Sequence, residues 1–250
     1  MNMAPERRQR GAALLMLLMI AGVLGAFFAM RIFGGVRQQV EKERATQAAM
    51  VQAHDALLGF AAINGRLPCP AAPAATGVAS PAVSGPCTNN YNGFLPAMTL
   101  GLSGVDANGY LLDGWGGRVR YAVTIANANA ATTTNGIQLA PMASFAPDLR
   151  VCGESTCIPA QVLTSSAVAV IFSLGPNMGV AVGLDETANQ NIDRDFVSHP
   201  KTEAKPPIEE FDDLLIWLAP GTCTVGPCPP NPWQPSNSLF FVMTQANKLP

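Results

Sequence analysis

The sequence predicts an α+β protein, with a long N-terminal helix packed on a mostly antiparallel β-sheet whose long loops are stapled by disulfides. Three observations carry this reading. Residues 11–30, GAALLMLLMIAGVLGAFFAM, hold no charge, and the next thirty residues are polar, alanine-rich and free of proline, so both favour helix. From Arg66 onward, glycine, proline and asparagine punctuate short apolar runs, which is the pattern of strands joined by turns. A long helix followed by a run of strands is an α+β order.

The first element is expected to have two halves, one spanning a membrane and one amphipathic. As a helix, the 20 uncharged residues would cover about 30 Å, the thickness of a bilayer's hydrocarbon core, so residues 12–33 are expected to span. Glu6, Arg7, Arg8 and Arg10 precede them with a local charge of +2. Under the positive-inside rule that leader, residues 1–11, stays in the cytoplasm and the rest crosses. An ordinary signal-peptide cut needs small residues beyond the apolar run, where Phe27, Phe28 and Met30 stand instead. A retained anchor is the expectation, with Gly11/Ala12 as the junction open to cleavage.

Residues 34–65 are expected to form the amphipathic half, with Val40, Ala48, Val51, Leu58 and Ala62 as its apolar stripe. Asn64-Gly65 ends the helix, and Pro68 and Pro70 prevent a restart. Residues 66–250 then read as a β-rich globular domain. In Arg118 to Ala126, the residues Val119, Tyr121, Val123 and Ile125 alternate as one face of a half-buried strand. Ala167 to Leu174 is a continuous apolar run suited to a central strand, and Leu214 to Leu218 and Leu239 to Thr244 are two more.

Charge and composition exclude several functions. The net charge is −2, and the residues from Arg66 on carry 8 basic against 13 acidic groups, so there is no basic field to hold nucleic acid. No G-x-S-x-G, Walker or dinucleotide pattern appears. The two histidines, His54 on the first helix and His199 in a polar loop, sit beside no activated nucleophile. No enzymatic activity is expected. Trp115, Trp217 and Trp233 suit packing better than ligand stacking.

Six cysteines fall as three sequence-local pairs, Cys69 with Cys87, Cys152 with Cys157 and Cys223 with Cys228. An even count in an exported domain predicts disulfides, and proximity favours these three pairs among the fifteen connectivities. Zinc would prefer shorter spacings. Between Gly183 and Asp195, the carboxylates Asp185, Glu186, Asp193 and Asp195 gather with Asn189 and Asn191. Hard oxygen donors in a loop are what calcium takes, while a solvated acidic loop is the commoner meaning.

A leader ending Arg10-Gly11, followed by Ala12-Ala13-Leu14-Leu15 and an apolar run, resembles the N-terminus of type IV pilins and type II secretion pseudopilins. The block Asn64-Gly65-Arg66-Leu67-Pro68-Cys69-Pro70 resembles the helix exit of a group of large bacterial pilin-like proteins. Phe94-Leu95-Pro96, Asp113-Gly114-Trp115-Gly116, Ser173-Leu174-Gly175-Pro176-Asn177 and Phe211-Asp212-Asp213-Leu214 are similar to that group's later blocks, in order. The resemblance implies processing by a prepilin peptidase after Gly11 and methylation of Ala12. It also implies an inner-membrane protein with a periplasmic domain, assembled with other pilins or pseudopilins through the N-terminal helix. Met16 stands where the family has a glutamate, which points to a minor, tip-proximal subunit. Some pseudopilins bind calcium in a loop comparable to Gly183–Asp195. The competing expectation is a solitary membrane-anchored periplasmic binding or adhesion domain.

Overall fold

The computed structural model describes residues 8–73, 76–139, 145–180, 183–203, 209–221 and 240–245. It gives their side chains except at 8–13, 26–36, 138–139, 221 and 240–245. The chain divides into two units, Met1–Arg44 and Ala45–Pro250. Helix α1, Arg8–Asn64, contributes residues to both.

In the first unit the described side chains lie in 14–25 and 37–44. Leu14, Leu15, Met16, Leu17, Leu18, Met19 and Ile20 are all exposed, between 59% and 74%, so apolar surface covers every side of that stretch. The expected fold class is corrected here. Among the described residues no helix is long and apolar enough to cross a membrane. The described apolar side chains, 14–25, number 12, which is about 18 Å of helix against the roughly 30 Å of a hydrocarbon core. Part of the expected span, 12–33, lies outside the described side chains.

In the second unit α1 ends at Asn64, and Gly65 takes φ +61° while its N–H donates to the Ala61 carbonyl at 2.8 Å. This is the left-handed C-terminal cap that the Asn-Gly pair predicts. The buried stripe is Thr46, Met50, Ala53, His54, Leu57 and Ala61, and it replaces the expected one. Val40 and Ala48 are exposed and Val51 and Leu58 half-buried. The helix is rotated because Thr46 and His54, which read as polar, lie on its inner face.

The elements after α1 are β1 (Gly93–Phe94), α2 (Ala97–Leu100), β2 (Arg120–Val123), α3 (Ala126–Asn129) and α4 (Gly136–Leu139). They continue with β3 (Leu149–Cys152), β4 (Val162–Ala167), β5 (Ala169–Ser173), α5 (Leu184–Gln190), β6 (Asp195–Val197), β7 (Leu214–Gly221) and β8 (Phe240–Gln245). One sheet has the order β1-β2-β5-β7-β8, antiparallel throughout. A second has the order β4-β3-β6, with β3 antiparallel to β4 and parallel to β6.

The larger sheet is covered on both faces. Met50, Ala53, Leu57 and Ala61 of α1 pack with Tyr121, Val123, Ile171, Ile216 and Leu218 on one side. Ala122, Val170, Phe172, Leu215 and Trp217 meet Leu149, Val151 and Phe196 of the smaller sheet on the other. Hence β5 is buried at all five residues, as its unbroken apolar run predicts. The β2 segment is covered on both faces as well: Val119, Tyr121, Ala122, Val123 and Thr124 are all buried, and Ile125 alone of its expected apolar face is exposed. Burying a large apolar side chain such as Leu57 or Ile171 contributes about 1.5–3 kcal/mol, so this three-layer core supplies most of the stability.

Candidate functional site

Cysteine pairing is the simplest of the sequence expectations to place. Cys69 is bonded to Cys87 and Cys152 to Cys157. Cys223 and Cys228 lie outside the described residues, as does Trp233. Trp217 is a core residue of β7 and Trp115 is half-buried in the turn after Asp113. The processing pair Gly11 and Ala12 falls in α1, where the side chains are not described.

The four loop carboxylates are held apart by separate partners. Arg150 clamps Asp195 through both Nε, at 2.6 Å, and Nη2. Asp193 accepts the backbone N–H of Asp195 at 3.0 Å. Asp185 accepts the Ser155 N–H at 2.7 Å and lies 3.2 Å from His199 Nε2. His199 in turn stacks on Phe211, 3.9 Å between ring centres. The other ring nitrogen of His199, Nδ1, lies 2.8 Å from the Pro200 carbonyl, where a hydrolytic triad would place its nucleophile hydroxyl. His54 is buried on α1, with Nδ1 3.0 Å from Asp55 Oδ1.

Only Glu186 turns inward, and there it meets a pair of carboxylates from a distant part of the sequence. Ligand oxygens of Glu186, Asp212 and Asp213 lie within 4.8 Å of one another, and the three residues are 1%, 4% and 4% exposed. Helix α5 points Glu186 into the core because its outer positions take the exposed Leu184 and the loop-facing Asp185. Asp212 and Asp213 arrive at the entrance of β7, where Leu214 pairs with Ser173. Asn177 Nδ2 donates to both Glu186 oxygens at 3.0 Å, and the Asp212 N–H donates to Glu186 Oε1 at 3.3 Å. Asn189 Nδ2 donates to Asp213 Oδ2 at 2.7 Å and is itself pinned on both sides by Val197 backbone groups.

Asp212 is the exception. Both of its carboxylate oxygens are buried without a hydrogen-bond partner. Gly175, at φ +64°, brings its backbone so close that a Cβ there would overlap Asp212 Oδ1. Burial, followed by the Glu186 charge, pushes the Asp212 carboxyl up to about 6. Burial also pushes Asp213 up to about 8, against the opposing Asn189 hydrogen bond and with Glu186 and Asp212 adding to the rise. In this space burial and mutual repulsion both favour the protonated forms of Asp212 and Asp213.

Sequence reading missed this gathering because 26 residues separate Glu186 from Asp212, and Asp212-Asp213 alone reads as a turn before a strand. A signal was present in the adjacent aspartates abutting an apolar run that must be buried.

A cleft of about 240 Å³ opens nearby, lined by Phe94, Arg118, Arg120, Leu174, Gly175 and Met178 among others. Arg120 lies over Phe94, 4.8 Å from its centroid, and Arg118 over Tyr110 at 4.2 Å, the latter paired with Asp106 at 2.7 Å. Burial lowers the Arg120 pKa. No family model, curated protein or solved structure matches the chain.

Proposed function

We propose that the chain is a structural, pilin-like subunit that assembles with other pilins or pseudopilins through its N-terminal helix, its globular unit lying in an oxidising compartment outside the cytoplasm. The observation that carries this reading is the contrast in α1: 14–25 expose apolar side chains on every side, whereas 46–61 bury one stripe under a closed core. Apolar surface of that extent marks an interaction site, and a bundle of like helices would cover it. Two disulfides suit export. The Arg10-Gly11-Ala12 junction suits a prepilin peptidase, and Met16 in place of the family glutamate suits a low-copy, tip-proximal position.

Mass spectrometry of the mature N-terminus in cells that have the peptidase tests this. The expected terminus is an N-methylated Ala12. An intact Met1, or a cut beyond Met30, would refute assembly as a processed pilin. The second reading, a solitary binding or adhesion domain, draws on the cleft beside Arg120, and an unprocessed N-terminus would favour it.

A further inference from the structure

The protein's acidic loop invites a calcium ion, yet its own geometry does not converge there. Asp195 is neutralised by Arg150, Asp193 caps a turn, and Asp185 is shared between Ser155 and His199. Among the described residues, the acidic side chains whose ligand atoms do converge are Glu186, Asp212 and Asp213. We propose that these three carboxylates form a binding site for a hard divalent cation, calcium above all, and that the other acids of the loop do not take part. The proposal is independent of the pilin-like reading.

Acidic clusters are common without an ion, so the case rests on what surrounds this one. Its members are almost fully buried, where a carboxylate without a partner is costly. Glu186 and Asp213 are oriented by Asn177 and Asn189, which hold them in place as an outer shell holds metal ligands. Asp212 differs, with two buried oxygens that form no close hydrogen bond, the Asn177 N–H being a weak aid at most, directed into the same small space. Gly175 leaves room for that carboxylate, since any side chain there would displace it. A cation would satisfy both Asp212 oxygens and relieve the mutual repulsion together.

Ligand chemistry selects the ion. All three donors are carboxylate oxygens, which suit calcium or magnesium over softer metals. Calcium accepts irregular sets of carboxylate oxygens, whereas magnesium demands near-octahedral geometry and gives up its waters reluctantly, so calcium is the ion expected to bind more tightly. The charged groups facing Asp212 and Asp213 are Glu186 from α5, with Lys201 and Glu210 from the segment before β7, so acids outnumber the one lysine around the space a cation would fill.

The experiment uses the full chain in detergent, stripped with chelator, and titrates calcium chloride by calorimetry at pH 7. Saturable one-to-one binding is expected, with a Kd of about 10⁻⁵ to 10⁻³ M, and magnesium at least tenfold weaker. Asp212→Asn should weaken calcium at least tenfold. Asp193→Asn and Asp195→Asn should leave it within twofold. Asp212→Asn removes a buried repulsive charge, so in chelator it should melt no lower than the parent, which separates lost binding from lost folding. Either no saturable binding, or binding abolished by Asp193→Asn but kept by Asp212→Asn, would overturn the site.

Discussion

Two buried aspartates, Asp113 and Asp212, face each other across the same short segment, Ser173 to Gly175, and the fold treats them in opposite ways. Asp113 Oδ1 accepts the Trp115 and Gly117 N–H groups at 2.9 and 2.7 Å, and its Oδ2 accepts the Ser173 hydroxyl at 2.6 Å. The same hydroxyl oxygen accepts the Gly175 N–H at 3.2 Å. Asp212, on the far side of Gly175, has no close hydrogen bond at either oxygen, and only the Asn177 N–H acts weakly on it. A carboxylate with three donors organises a turn and ties β2's approach to β5. A carboxylate with no close donor is kept buried only by the core around it, and its charge must be dealt with by a proton or a cation.

The largest test of that contrast is pH. Asp212 and Asp213 have folded values near 6 and 8, both above the ordinary carboxylate value, so the folded state binds protons the unfolded state releases. Their contribution is therefore fully present below about pH 4 and is lost as pH rises through 6 and then 8. The two titrate as a coupled group, and the combined loss across that window should be on the order of 5 kcal/mol. Urea denaturation in chelator from pH 4 to 9 would measure it, and Asp212→Asn should flatten the profile. A flat profile in the parent would remove the distinction between the two aspartates.

Next in size is the satisfied member of the comparison. Asp113→Ala strips acceptors from two backbone amides and one buried hydroxyl, and hydrogen bonds to a charged group contribute about 1.5–3 kcal/mol each without adding fully. A loss of about 3 kcal/mol at pH 7 is expected from denaturant melts, independent of divalent cations. A cost under about 1 kcal/mol would mean that the turn forms without its acid.

How much of this was legible in the residues depends on range. The run at β5 and the Asn64-Gly65 stop depend on local patterning, and both are where the sequence puts them. The stripe on α1 was displaced because Thr46 and His54 are buried through tertiary contacts that hydropathy does not register. Four strands, β1, β3, β4 and β6, went unread: β1 has two residues, β4 is the polar VLTSSA, β6 has three residues inside the acidic stretch, and β3 has four. Asp195, read as a loop ligand, is the first residue of β6, and its partner Arg150 lies on β3. Asp212 and Glu186 needed the crossover from α5 to β7 before they could meet.

The smallest expected effect concerns Asp195, because it separates a paired surface acid from both buried ones. Its salt bridge with Arg150 is geometrically strong, with two guanidinium nitrogens on two carboxylate oxygens, yet each side chain is about a third exposed, 34% and 32%. At that exposure solvent and salt screen the charges, and ordering two side chains offsets part of the gain, so such pairs contribute at most about 1 kcal/mol. Arg150 also pairs β3 with β6 in register at Asp195, so the bridge sits over backbone hydrogen bonds that hold the strands without it. Asp195→Asn should therefore cost no more than about 1 kcal/mol, and the cost should shrink further in 1 M salt, measured by urea melts at pH 7. A loss of 3 kcal/mol, or one that grows with added calcium, would instead place Asp195 among the acids whose charge the fold depends on, and the line drawn between loop and core carboxylates would have to move.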